Sequence, residues 1–183
     1  MKLLIASDIH GSAYYMEQLM ARVEAEQPNR ILLLGDLLYH GPRNDLPRDY
    51  APKRVIPLLN SLRDKIIAVR GNCEAEVDQM VLDFPCLADC ATVAEEGLTM
   101  YLTHGHHHSP EHLPPLPGGT VFLSGHTHVG RNEWVDGILC LNPGSVSIPK
   151  DGQHSYMVYE QGVFTRKTLD GGVIFVQPAA EKD

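Results

Sequence analysis

Five short apolar runs in this chain each break off into a glycine-flanked polar cluster, and the clusters are rich in side chains that bind metal ions. Residues 2–6 lead into Ser7-Asp8-Ile9-His10-Gly11, residues 31–34 into Gly35-Asp36, and residues 66–69 into Gly71-Asn72-Cys73-Glu74. Later runs lead into Thr103-His104-Gly105 and Ser124-Gly125-His126-Thr127-His128. In open α/β sheets the carboxyl ends of the strands form the ligand crevice, so side chains distant in sequence can converge there. The flanking glycines let the backbone turn sharply and approach a bound ion.

The pattern between these clusters sets the architecture. Met16, Leu19, Met20 and Val23 share one helical face, with Ser12 as N-cap and Pro28 past the end. Val55, Leu58, Leu59 and Leu62 repeat that spacing after a Pro-rich loop over residues 39–52, and a shorter helix is expected over 76–83. The second half reads as mostly antiparallel strand. Residues 92–94 and 98–103 flank a Glu-Glu-Gly turn. Residues 133–135 and 138–141 flank Asp136-Gly137, and residues 155–159 and 163–168 flank Gln161-Gly162. Crossover helices followed by hairpins imply two sheets packed face to face with helices outside, in a single domain spanning residues 1–183. Residues 109–119 form a surface loop rather than a linker.

Asp8, His10, Asp36, Asn72, His104, His126 and His128 offer nitrogen and oxygen donors without a thiolate. Such a set favours Mn, Fe, Zn, Ni or Co over a soft structural site. Seven donors exceed what one tetrahedral ion needs, whereas two ions sharing a bridging carboxylate, about 3.5 to 4 Å apart, would use them all. His106, His107 and His108 read as a solvated rim. His40, His112 and His154 have no motif around them, and Cys86 and Cys90 lack the second pair a zinc site needs. Arg43, Arg70 and Arg131 lie beside the motif loops, where phosphate contact is conceivable. Asn142 to Ser145 reads as a tight turn bracing the loop of His126 and His128.

Taken in order, the DxH, GD, GNC-E, HG and GHTH motifs, followed by Asn142-Pro143-Gly144-Ser145, resemble the calcineurin-like metallophosphoesterases. Within that family the likeness is to the small bacterial and archaeal phosphodiesterase branch. It runs from about Lys2 to Ser147, and the combination is specific although each piece alone is weak. The resemblance implies a four-layer αββα sandwich of two mixed sheets flanked by helices, the metallo-dependent phosphatase fold. It implies one metal held by Asp8, His10, Asp36 and His128, and a second held by Asp36, Asn72, His104 and His126, with Asp36 bridging. The expected cofactors are two divalent ions, manganese first, with nickel, cobalt, iron or zinc as alternatives. The expected reaction is in-line attack on a small phosphodiester by a hydroxide bridging the two ions. Asn72 would both ligate and orient a phosphate oxygen. Many relatives carry His where this chain has Cys73. A thiol donates a proton to a leaving alkoxide less well than imidazolium, so Cys73 favours the phosphodiesterase branch.

Composition narrows the partners. Asp plus Glu (23) exceed Lys plus Arg (15), a net charge of -8, which argues against long duplex nucleic acid. No membrane-length apolar run or export signal is evident, and four cysteines without such a signal read as free thiols, so the expected compartment is the cytoplasm. Apolar late strands leave a homo-oligomer open. Rival readings are a phosphomonoesterase or nuclease on the same site, and a non-catalytic interaction scaffold of the same fold.

Overall fold

A computed structural model describes residues 1–95 and 97–180. Two mixed sheets pack face to face. The first runs β11-β10-β9-β1-β2-β3 and the second β4-β5-β6-β8-β7. In the first sheet β1 (Leu3–Ala6), β2 (Arg30–Leu33) and β3 (Ile66–Ala68) are parallel. Against β1 lies the antiparallel run of β9 (Ser155–Glu160), β10 (Val163–Thr168) and β11 (Val173–Pro178). In the second sheet β5 (Leu98–Thr103), β6 (Val121–Leu123) and β8 (Ile138–Asn142) are parallel, with β4 (Cys90–Glu95) and β7 (Arg131–Val135) antiparallel at the edges.

The alternation of strand side chains builds three packed layers of contact. Leu3, Ile5, Leu32 and Leu34 point inward to meet Met100, Leu102, Val121, Leu123, Leu139 and Leu141 of the other sheet. Leu4, Ala6, Ile31 and Leu33 point outward, under Met16, Leu19 and Val23 of α1 (Ala13–Glu26) and Val55 and Leu59 of α2 (Pro52–Asn60). On the far side, Phe122, Ile138 and Cys140 are covered by Leu113 and Leu116 of the loop after β5. All six parallel strands point the same way relative to their neighbours, which collects their carboxyl ends along one margin of each sheet. The motif clusters sit there.

Local signals explain most boundaries. Ser12 caps α1 by accepting from the Tyr15 amide, and Gln27 closes it in the left-handed region. Pro52 opens α2, whereas Leu62 falls beyond its end, ahead of a 3-10 turn at Arg63–Lys65. The helix expected over 76–83 is only α3 (Glu76–Gln79). The Gln79 side chain ends it by holding the Leu82 and Phe84 carbonyls and the Cys86 amide in a non-helical path. Asp136-Gly137 and Gln161-Gly162 all have positive φ, as two-residue hairpin turns require. Glu96 of the Glu-Glu-Gly turn lies outside the described residues. The second half is less antiparallel than its hairpins suggest, because crossovers carry β5, β6 and β8 into parallel register. Sequence periodicity also misses β11. It is an edge strand whose Val173 and Val176 stay exposed, so it lacks the alternation of a half-buried strand. None of the described helices is long and apolar enough to cross a membrane.

One buried charge ties the first sheet to the loop after β8. Arg166 is 4% exposed; its guanidinium donates to the Pro143 carbonyl at 3.0 Å, to Ser155 Oγ at 2.8 Å and to Asp151 at 2.7 Å. Gly144, with φ +81, must lack a Cβ here, because one would run into that guanidinium. Arg166→Met should therefore lower stability by about 2–3 kcal/mol, the worth of charge-assisted hydrogen bonds plus unpaired acceptors. Urea unfolding should show a lower midpoint at unchanged slope; an unchanged midpoint would mean that the loop is held without Arg166.

Candidate metal centre

All seven donor residues named from the sequence meet at this margin. Asp8 and His10 follow β1, Asp36 follows β2, Asn72 follows β3, His104 follows β5, and His126 and His128 follow β6. Among the described residues, nine non-glycine positions have positive φ, and five of them are Asp8, His10, Asp36, His126 and His128. Each such conformation costs on the order of 1–3 kcal/mol and persists only where surroundings enforce it.

The ring orientations decide what the site can hold. His10 donates Nδ1–H to the Tyr39 carbonyl at 2.8 Å, His128 to the Ile148 carbonyl at 2.8 Å, and His104 to the Leu34 carbonyl at 2.6 Å. Their Nε2 atoms therefore face inward as lone-pair donors when the rings are neutral. His10 Nε2 and His128 Nε2 are 3.1 Å apart, and Asp8 Oδ1 lies 3.5 and 3.2 Å from them. That Oδ1 is fully buried with no hydrogen-bond partner. A second group forms where His104 Nε2 lies 3.1 Å from Asn72 Oδ1 and 3.2 Å from His126 Nδ1. Asp36 Oδ2 stands between the groups, 3.7 Å from His10 Nε2 and 3.4 Å from His104 Nε2.

These spacings fit cations. An ion bonded at about 2.1 Å sets neighbouring donors about 3.0 Å apart in an octahedron and about 3.4 Å in a tetrahedron. Electron pairs aimed at one another across such gaps repel unless a cation or a proton lies between them. Three clusters of potential ligands are buried here, Asp8-His10-His128, Asp8-Asp36-His104 and His10-Asp36-Cys73. Cys73 is the weakest donor among them. Burial and the Asp36 and Glu74 carboxylates push its thiol far up, so it stays neutral.

Electrostatics of the metal-free site follow the same geometry. Burial opposes ionisation of Asp8, but the close His10 and His128 rings outweigh it and hold the carboxyl well below its ordinary range. Burial likewise opposes a charged His104, yet the Asp36 hydrogen bond and the Asp8 and Asp36 charges lift it to about 9. His126 moves down through burial and the neighbouring His104.

Glu74, at the end of the GNC-E motif, has a role its sequence context does not announce. Its buried carboxylate accepts the amides of Asp36 at 2.8 Å, Leu37 at 2.7 Å and Gly71. It thereby locks the Asp36 turn onto the Asn72 turn. Burial and the Asp36 charge raise it to about 7, partly offset by those amides. Asn142 braces the His126 loop, donating to the Gly125 carbonyl at 2.7 Å, while Ser145 and Ser147 hydroxyls hold the Asp8 carbonyl at 2.8 and 3.1 Å. A Cβ on Gly125 would collide with Ser7 and press on Asp8.

Around the centre, a cleft of about 400 Å³ is lined by Asp36, Arg43, Asn44, Asn72, His126, Thr127, His128 and Lys150. Of the arginines flagged from sequence, only Arg43 lines it. Arg70 donates to the Glu74 carbonyl, and Arg131 pairs with Glu111 and Glu133. Lys150 gives no sequence signal, since it precedes no motif. His106 lies beside the second donor group, its ring centroid 5.3 Å from that of His104.

Two facing sheets with such a donor margin define the class of metallophosphoesterases. Residues 1–162 match the calcineurin-like phosphoesterase superfamily domain, and the chain belongs to that family. It is similar to phosphodiesterase YfcE of Escherichia coli strain K12, 45% identical over 180 residues covering 98% of each chain. The solved structure of the E. coli YfcE phosphoesterase superposes with a TM-score of 0.95 at 44% identity, over 98% of this chain and 100% of that one. Vps29 of Entamoeba histolytica, solved with zinc, shares the fold at a TM-score of 0.64 and 20% identity, over 98% and 100% of the two chains. Membership of this family supports hydrolysis of phosphoesters as the chain's chemistry.

Because His104 is lifted to about 9, its ring is protonated at pH 7 in the metal-free protein, and a cation that takes the lone pair must displace the proton. Affinity should therefore fall as pH drops. Titrating Mn²⁺ into metal-free protein in buffers of different ionisation enthalpy should reveal release of roughly one proton or more per chain at pH 7. Heats independent of the buffer would show the rings already neutral.

Proposed function

We propose that the chain is a metal-dependent phosphodiesterase acting on a small phosphodiester, as one domain over residues 1–183. The observation that carries this reading is Asp36, whose Oδ2 stands within 3.7 Å of one donor group and 3.4 Å of the other. Asp8, His10, Asp36 and His128 would hold one divalent ion, and Asp36, Asn72, His104 and His126 a second. Manganese suits this nitrogen and oxygen set, as do nickel, cobalt, iron and zinc. Bound there, the ions supply Lewis acidity toward phosphoryl oxygens and a hydroxide nucleophile near neutral pH.

The protein supplies orientation. Backbone carbonyls fix three rings, so the donor geometry is set before substrate arrives. Asn72 offers Oδ1 to the second donor group while its Nδ2 reaches Cys73 Sγ at 3.2 Å, and it lines the cleft, where it would orient a phosphate oxygen. Cys73 would face the leaving oxygen, and its thiol is neutral, so leaving groups that need no strong proton donor would be favoured. The name of the E. coli relative supports a diesterase over a monoesterase. The complete donor set, with Asp8, His10, Asp36, His104 and His128 buried, favours catalysis over a scaffold role; the likeness to Vps29 concerns the fold alone. Net acidity disfavours long duplexes, free thiols suit a reducing cytoplasm, and the exposed edge of β11 is the surface best suited to self-association.

Chelation should abolish hydrolysis of bis(p-nitrophenyl) phosphate and Mn²⁺ should restore it. Asp36→Asn should lower kcat/KM by more than about a hundredfold, since ligand loss exceeds the 10–100-fold cost of outer partners; near wild-type turnover with metal bound normally would end the proposal. Cys73→His should raise rates on esters with poor leaving groups by about tenfold or more, and on activated esters by less. Equal gains on both classes would contradict the role given to Cys73.

A further inference from the structure

The cleft over the donor cluster carries two cations that have no ion-pair partner among the described residues. Arg43, between β2 and α2, and Lys150, in the loop after β8, both line it. Among the described residues neither makes an ion pair or a side-chain hydrogen bond, whereas Arg54, Arg131, Arg166 and Lys167 all have acidic partners. Arg48 also lacks an acidic partner among the described residues and lies over the Tyr14 ring instead, but Arg43 and Lys150 share one cleft beside the donor groups. Lys150 is held in place from behind. Its amide donates to the His128 carbonyl at 2.8 Å, and the adjacent Asp151 is engaged by Arg166 at 2.7 Å and by the Gly130 amide at 2.8 Å.

Charge counting gives these cations a purpose. On the proposed phosphodiesterase reading, two divalent ions would stand against the Asp8 and Asp36 carboxylates and the hydroxide nucleophile, which already balances the single negative charge of a phosphodiester. Two further cations at the rim have no counterpart in a diester with neutral arms. We propose that Arg43 and Lys150 form a subsite for a second phosphate, so that the preferred substrates are phosphodiesters bearing another phosphate near the scissile one. The inference rests on the diesterase reading for its scissile group, while the subsite itself is a separate matter of binding. A guanidinium matches phosphate oxygens in pairs, and an ammonium adds a point charge on a flexible stem. The cleft volume of about 400 Å³ suits a ligand of nucleotide size.

Metal-loaded enzyme should hydrolyse a 5′-phosphorylated dinucleotide at least about tenfold more efficiently than the same dinucleotide without the terminal phosphate, the worth of one charged hydrogen-bonding contact. Arg43→Ala with Lys150→Ala should bring that ratio close to one, and Arg43→Lys should keep part of it. Both residues are exposed, so thermal unfolding should be little changed. Calorimetry supplies a second readout: a nucleoside 3′,5′-bisphosphate should bind more tightly than the 5′-monophosphate, and the double variant should lose the difference. A wild-type ratio near one, or a ratio that survives in the double variant, overturns the subsite. Should bis(p-nitrophenyl) phosphate resist every metal-loaded form, the diesterase reading falls. Calorimetry then decides the subsite alone, equal affinity for the two nucleotides overturning it.

Discussion

Mutual repulsion among converging lone pairs is the constraint on which this structure turns. His10, His104 and His128 each commit Nδ1–H to a backbone carbonyl, so their remaining nitrogens, lone-pair donors whenever the rings are neutral, face one another, Asp8 and Asn72 across about 3 Å. Such a set is satisfied by cations, or by protons in their absence, which is why His104 is so basic without metal. Much of the surrounding architecture serves to hold this convergence in place. The parallel strands of both sheets deliver it, and left-handed turns at five donor residues aim it.

Those turns need support that lies outside the donor set. Glu74 gathers three amides of the Asp36 and Asn72 turns, Asn142 grips the Gly125 carbonyl, and Ser145 and Ser147 grip the Asp8 carbonyl. Behind them Arg166 fastens the loop after β8 to the first sheet. The strain at the donors is thus countered by buried hydrogen bonds one layer out, as expected where function fixes geometry that the backbone would not choose.

Much of this was legible beforehand. Alternating apolar strands, helical spacing in α1 and α2, and the hairpin turns at Asp136 and Gln161 point to two sheets with helices outside, and the donor residues announce themselves by ending strands. What escaped notice did so for physical reasons. β11 is exposed at an edge and carries no alternation, and β5, β6 and β8 are parallel through crossovers that local sequence does not reveal. α3 is cut short by the side chain of Gln79, a contact no periodicity predicts. Glu74 stands within a quoted motif, yet its bracing role depends on amides 37 and 38 residues away in the chain. Lys150 reaches the cleft only because the loop after β8 folds back onto His128.

The central claim is that one carboxylate joins two ions. Anomalous diffraction at the manganese edge from crystals of the manganese-loaded protein tests it most directly. The account predicts two peaks flanking Asp36 Oδ2, one toward His10 and His128, the other toward His104 and His126. A single peak, or ions remote from Asp36, would contradict it.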